Sequence, residues 1–150
     1  MSIKNKEPTL ISVDGFKVIG LSVRTTNSDE FNPATAQLPD LWQRFYSSGS
    51  GVTDPDSIIL GVYSDYESDA SVYYTVTAGV KSASAEKSTT TVLSGEYLVF
   101  ENQGVFPHVV VETWQRVWGY FEGQKEILRR FKTDFEMYKA DGNIAIYIGV

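Results

Sequence analysis

The same order of secondary-structure signals occurs twice along this chain, and that repetition constrains the fold more than any other feature. Each half reads as a strand, a helix and two further strands, over about residues 9–80 and 89–150. Trp42-Gln43-Arg44 recurs 72 residues later as Trp114-Gln115-Arg116, in the middle of each predicted helix. Two such βαββ units must bury their apolar faces against each other, which predicts an α+β fold with pseudo-twofold symmetry, an antiparallel sheet and helices.

In the first half, β-forming residues predict strands over residues 9–23, 57–63 and 72–80, with the last two forming an antiparallel hairpin. A helix is predicted over residues 34–46 by apolar side chains at helical spacing, namely Leu38, Leu41, Trp42 and Phe45. Residues 27–33 read as a polar connection. The small, polar residues 81–88 read as a linker between the halves.

The second half repeats this order and ends in a hairpin. Its turn is predicted at Asp141-Gly142-Asn143, since Asp-Gly between alternating apolar runs favours a tight turn. The other predicted segments are a strand over 91–101, a helix over 107–121, a short helix or ordered loop over 122–131, and strands over 134–138 and 144–150.

Composition excludes several classes of protein. The 150-residue chain has a net charge of −6 and no basic cluster without acidic neighbours, which disfavours direct nucleic-acid binding because phosphate contacts dominate that affinity. No apolar run is long enough to span a bilayer, and Met1 to Pro8 contain no apolar signal segment. Because cysteine is also absent, we expect one cytoplasmic domain over residues 1–150, without disulfides or thiolate metal sites.

Aromatic residues are unusually frequent, with nine Tyr, eight Phe and three Trp. A buried Tyr needs a partner for its hydroxyl, so a Tyr-rich chain indicates either a pocket or an interface. Half-exposed tyrosines on sheets are the alternative interpretation. The polar connection 27–33 and a Tyr-rich surface are also compatible with a homodimer or another protein partner.

The last two strands place an acid among these rings. Alternation puts Glu136 and Tyr138 on one face of their strand, with Asp134 expected to be exposed at its start. We expect Glu136, Tyr138 and Tyr147 to face a cleft between the halves, while the isoleucines of the last strand pack under the helices. Further ring candidates for the cleft wall are Tyr63, Tyr73 or Tyr74, Trp42, Tyr46, Tyr97 and Trp118.

A carboxylate in an apolar, aromatic cleft is costly to desolvate unless it is paired, and a bound organic cation can supply the partner. Ring faces attract the same cation. This pattern therefore predicts a site for small, lipophilic, aromatic cations. The alternatives are a solvent-facing Glu136, and a core role for Trp42 and Trp118.

The chain ends in Phe135-Glu136-Met137-Tyr138, a turn, and Ile146-Tyr147-Ile148-Gly149-Val150. This ending resembles that of the gyrase-inhibitor-like, or AraC-type effector-binding, superfamily, which is Phe-Glu-x-Tyr, a variable loop and Ile-Tyr-Ile-Pro-Val. Gly149 departs from that pattern, where Pro is common. The resemblance covers nearly the whole chain and is nearest to free-standing, integron-cassette-encoded bacterial proteins that bind cationic drugs.

The resemblance implies a duplicated βαββ fold around a cleft, with a lipophilic cation bound against a buried Glu walled by aromatics. It assigns that Glu to Glu136. Relatives of this kind serve multidrug recognition in transcription regulation, but no segment of this chain reads as a helix-turn-helix. We therefore expect a binding protein rather than an enzyme. The alternatives are a small-molecule hydrolase of the same superfamily with Glu136 as base, and a gyrase-inhibitor-like protein-interaction module.

We expect no catalytic residue, metal site or cofactor. His108 is the single histidine, and no His, Asp or Glu cluster has metal-ligand spacing. Gly49-Ser50-Gly51 lacks the lysine of a phosphate-binding loop.

Overall fold

The structure is a computed structural model that describes residues 7–47, 58–69, 71–82, 88–139 and 141–150. The first half of the chain forms β1 (Thr9–Val13), β2 (Phe16–Thr25), α1 (Asn27–Phe31), α2 (Leu38–Ser47), β3 (Ile59–Ser64) and β4 (Tyr74–Lys81). The second half forms β5 (Thr90–Val92), β6 (Gly95–Gln103), α3 (His108–Gly123), β7 (Asp134–Tyr138) and β8 (Asn143–Gly149). The predicted α+β class is confirmed.

The eight strands join one antiparallel sheet in the order β1-β6-β8-β7-β3-β4-β2-β5. At one edge the short strand β1 is followed by the second-half strands β6, β8 and β7. At the other edge the short strand β5 is followed by the first-half strands β2, β4 and β3. The short edge strands are exchanged between the halves, because β1 pairs with β6 while β5 pairs with β2. The central β3–β7 pair, called the seam below, is therefore where the two halves meet.

The helices α2 and α3 pack on one face of the sheet, called the helix-covered face. Leu41 and Phe45 of α2 pack on the β4 side, and α3 packs over the isoleucines of β8. The opposite face holds a third apolar cluster, which includes Tyr97 and Phe135. Side chains from both edge strands, β1 and β5, reach this cluster, so the sheet curls around it.

The structure refines three segments of the sequence-based expectation. The strand predicted over 9–23 is interrupted at Asp14-Gly15, a dipeptide that predicts a turn or bulge, and its two parts pair with different strands. The connection 27–33 contains α1, which begins after Thr26, whose hydroxyl accepts the Asp29 backbone N–H at 3.0 Å. Of the two alternatives predicted for the segment 122–131, the ordered loop is confirmed, since α3 ends at Gly123 and a loop follows it.

Two sequence features lie wholly or mainly outside the described residues, namely Gly49-Ser50-Gly51 and the predicted linker 81–88. Among the helices that are described, none has the length and apolar character needed to cross a membrane.

Candidate functional site

Glu136 lies at the middle of the seam, directly opposite Gly61. Its other cross-strand neighbour is Ile146, so its carboxylate projects from the helix-covered face. Only 2% of Glu136 is exposed. Burial raises the pKa of its carboxyl above the ordinary value of 4.5, because the charged form loses its hydration, while its hydrogen bonds act in the opposite direction.

Three neutral groups donate hydrogen bonds to this carboxylate. Tyr63 Oη and Trp114 Nε1 donate to Oε2 at 3.0 and 2.7 Å. Tyr138 Oη donates to Oε1 at 2.6 Å. In the described part of the chain, no Lys or Arg pairs with Glu136. The donors therefore hold the carboxylate in place without neutralising its charge.

The donors come from matching places in the two halves. Tyr63 follows Gly61 by two residues, as Tyr138 follows Glu136. The tryptophans of the repeated Trp-Gln-Arg motif pack on these tyrosines, with ring centroids 5.2 Å apart for Trp114–Tyr63 and 5.4 Å apart for Trp42–Tyr138. One carboxylate at the seam is thus flanked by two equivalent Tyr–Trp pairs.

Gly61 provides the space for the carboxylate. A Cβ at this position would lie 2.5 Å from Glu136 Oε1 and 3.1 Å from Trp42 Cζ2. The equivalent place in the other half is taken by Glu136 itself. The seam therefore accommodates one carboxylate only because its counterpart has no side chain.

A cavity of about 230 Å³ lies beside Glu136 and its hydrogen-bond donors, between α1 and α3. Tyr63 and Trp114 line the cavity and also donate to Glu136, so they connect the carboxylate to it. The other aromatic and aliphatic lining residues are Phe31, Tyr66, Tyr74, Trp118, Leu38, Val110 and Val111. The polar lining residues are Asn27, Glu30, Gln115 and Arg129.

The charge of Arg129 is balanced within the protein. Its Nη2 lies 2.9 Å from Asp134 Oδ2, and Asp134 also accepts hydrogen bonds from the Tyr66 hydroxyl and the Gly149 backbone N–H. Asp134 is fully buried, so the expectation that it is exposed is wrong. The loop before β7 places Arg129 at the start of the strand, where Arg129 pairs with Asp134 and shields it from solvent.

The structure brings most of the predicted site residues together. Tyr63, Tyr74 and Trp118 line the cavity. Of the two alternatives at 73 and 74, Tyr74 is buried, while Tyr73 is 49% exposed and absent from the lining.

The predicted site residues Trp42 and Tyr46 belong to α2 and do not line the cavity. Trp42 packs edge-on against Tyr138, away from the cavity lining. Tyr46 packs on Trp42 with ring centroids 6.1 Å apart and is 55% exposed.

Tyr147 and Tyr97 lie on the opposite face of the sheet from Glu136, so the expectation that Tyr147 shares its face is wrong. The register pairs Tyr147 with Phe135, and their rings stack with centroids 4.3 Å apart. Tyr97 is fully buried there, and its hydroxyl donates to the Leu93 carbonyl at 2.6 Å. Alternation orders side chains within one strand, but only the register relates neighbouring strands.

Sequence reasoning missed several residues of the site, chiefly Trp114, Gly61, Tyr66 and Glu30. The repeated Trp-Gln-Arg motif was a usable signal for Trp114, because its partner Trp42 was already a candidate. Tyr66 and Glu30 lie in segments interpreted as connections. Their place at the cavity follows from tertiary packing, which local patterns do not encode.

Residues 9–150 match the model of a family described as Cass2, integron-associated effector binding protein. An integron cassette protein from the mobile metagenome of Vibrio cholerae is 37% identical, with a TM-score of 0.87 over 97% of this chain and 96% of that chain.

Two further proteins are more distant. YobU of Bacillus subtilis (strain 168), a candidate transcriptional regulator, is 29% identical in an alignment of 137 positions that covers 85% of this chain and 82% of YobU. The protein SAV2435, solved with tetraphenylphosphonium bound, is 20% identical with a TM-score of 0.73, over 95% of this chain and 93% of that chain. At that identity the likeness concerns the fold.

Gly61→Ala tests the packing of the seam. We expect it to lower the free energy of unfolding by about 1–3 kcal/mol, because the added methyl group meets the Glu136 carboxylate and the Trp42 ring. Urea unfolding measures this, with Gly119→Ala as control, since a Cβ there meets nothing within 4 Å. The same cost in a Glu136→Ala background would contradict the assignment of the clash to the carboxylate.

The raised pKa of Glu136 predicts a pH-dependent stability. Because folding raises this pKa, the Glu136 carboxyl makes a contribution to the free energy of unfolding that is fully present below pH 4.5. This contribution is lost as pH rises through the raised pKa. Wild-type protein should therefore lose stability relative to Glu136→Gln over that interval, as measured by urea unfolding at a series of pH values. A stability difference that is independent of pH would show that burial does not perturb this carboxyl.

Proposed function

The chain belongs to the family of integron-associated effector-binding proteins, and on that premise we propose that it binds small, lipophilic, aromatic organic cations in the cavity beside Glu136. Glu136 is the anion of the proposed site. Tyr63, Trp114, Tyr74 and Trp118 form its ring wall, and Tyr138 holds the carboxylate from behind.

The observation that carries this proposal is a buried carboxylate with three neutral donors and, among the described residues, no cationic partner. Burying an anion without a counter-charge is costly, and the hydrogen bonds offset only part of that cost. A cation in the adjacent cavity interacts with this charge across the rings of Tyr63 and Trp114, where the effective dielectric constant is lower and the attraction is stronger than in bulk solvent.

The rings add attraction of their own. A cation over a desolvated aromatic face gains about 0.5–2 kcal/mol per contact. Tyr63 and Trp114 also donate to the carboxylate, so each links the anion to the cavity surface. Because ring faces impose few directional hydrogen bonds, the proposed site accepts cations of varied shape.

The same geometry favours binding over catalysis. A general base needs an accessible lone pair within reach of the proton that it removes. The Glu136 oxygens already accept three hydrogen bonds, and Tyr63 and Trp114 stand between Glu136 and the cavity. We therefore assign no catalytic role to Glu136.

Tetraphenylphosphonium, which SAV2435 binds, is a suitable probe because its charge is shielded by four phenyl groups. We expect micromolar binding to the wild-type protein by calorimetry. We expect Glu136→Gln to weaken it at least about 30-fold, since losing one member of a buried charge pair costs about 2 kcal/mol or more. The amide oxygen of Gln can still accept from Tyr63 and Trp114, so the fold is preserved.

Two controls separate charge from shape. Tetraphenylborate, an anion of nearly the same shape, should not bind. Glu122→Gln removes one charge from an exposed position on α3 outside the cavity and should leave the affinity unchanged. Equal binding of the two tetraphenyl ions, or full affinity in Glu136→Gln, would overturn the proposal.

A further inference from the structure

The cavity has a second carboxylate, on the wall formed by α1. Glu30 lines the cavity together with Tyr63 and Trp114. Its oxygens accept the backbone N–H groups of Gln37, at 3.1 and 3.0 Å, and of Leu38, at 3.0 Å, where α2 begins. The Thr25 hydroxyl donates to the same carboxylate. These contacts fix the position of Glu30.

As with Glu136, these donors are neutral. Among the described residues, no lysine or arginine pairs with Glu30, and the cavity's Arg129 is paired with Asp134. The cavity and its immediate surroundings therefore carry two uncompensated negative charges, one from Glu30 and one from Glu136. A monovalent cation compensates only one of them.

Tyr74 connects the two carboxylates. It lines the cavity, and its hydroxyl donates to Asn27 Oδ1 at 2.6 Å. Burial is the main cause that raises the pKa of Tyr74, and the charges of Glu30 and Glu136 both raise it further. Glu30, Tyr74 and Tyr63, which donates to Glu136, line the same cavity, so a single ligand molecule can contact both walls.

The wall that carries Glu30 is open to a ligand. No residue of α1 is buried, and Phe31 is 73% exposed although its ring packs edge-on against Trp118. Phe31 and Trp118 both line the cavity. An aromatic group that enters here meets rings from α1 and α3 and lies beside Glu30.

We propose that the cavity selects lipophilic aromatic dications, with one positive charge at the Tyr63–Trp114 wall in front of Glu136 and the second at Glu30. This inference rests on the proposed function, because the first charge uses the site assigned to Glu136. It adds that the protein binds the positive charges of the ligand at two separate carboxylates, Glu136 and Glu30.

Ethidium and propidium provide a matched pair of probes, since they share one phenanthridinium ring system and propidium carries a second quaternary ammonium group on a flexible arm. We expect propidium to bind the wild-type protein about tenfold more tightly than ethidium, as measured by fluorescence titration at low ionic strength. The ratio should shrink as salt is added, because the arm reaches a partly exposed charge.

Glu30→Gln tests the residue. The amide oxygen still accepts from Gln37 and Leu38, so α2 keeps its cap, but the charge is gone. Propidium should then bind no more than about twofold more tightly than ethidium, because the charge that distinguishes the two dyes has lost its partner. Thr25→Val removes one hydrogen bond to Glu30 and keeps its charge, so it should retain the propidium preference.

The outcomes distinguish this inference from the function on which it rests. If both dyes bind the wild-type protein equally, or if Glu30→Gln leaves the ratio unchanged, the dication inference is wrong and cation binding stands. If neither dye nor tetraphenylphosphonium binds, both fail. The ratio of the propidium and ethidium affinities of the wild-type protein tests the dication inference even if Glu30→Gln does not fold.

Discussion

The Glu136 carboxylate at the seam is the interaction on which the rest of the site depends. Burial disfavours its charge, and the hydroxyls of Tyr63 and Tyr138 with the indole N–H of Trp114 hold it in place. Each donor is itself packed against another ring, so the aromatic cluster is ordered around one acid. Gly61 provides the space, because any side chain there would meet the carboxylate. A pseudo-symmetric sheet thus gains an asymmetric centre from one Glu–Gly pair.

This arrangement links stability to binding. A buried, uncompensated anion lowers the stability of the free protein, and a ligand that supplies the missing charge recovers that free energy on binding. The proposed selectivity has the same physical origin. The rings favour lipophilic ligands, and Glu136 and Glu30 favour positively charged ones. Arg129 does not oppose this, because Asp134 balances it inside the protein.

Sequence patterns predicted the fold class, the repeated order of elements, and β7 with its correct bounds. Alternation also placed Glu136 on the same face as Tyr138, and the family resemblance assigned it as the buried anion. Sequence patterns failed where register or tertiary packing decides. Tyr147 was assigned to the wrong face because alternation does not reveal which residue of β8 lies opposite Glu136. Glu30 was missed because the polar composition of its segment does not reveal that Glu30 accepts the backbone N–H groups at the start of α2.

The most direct test of this account is the pKa of Glu136 with and without ligand, read from the side-chain carboxyl carbon by NMR and assigned by comparison with Glu136→Gln. In the free protein we predict a pKa above 4.5, because burial disfavours the charged form. Saturation with tetraphenylphosphonium should lower it by about one unit or more, since a nearby cation favours the carboxylate. A pKa that does not change when the ligand binds would contradict the central claim that this carboxylate is the partner of the bound cation.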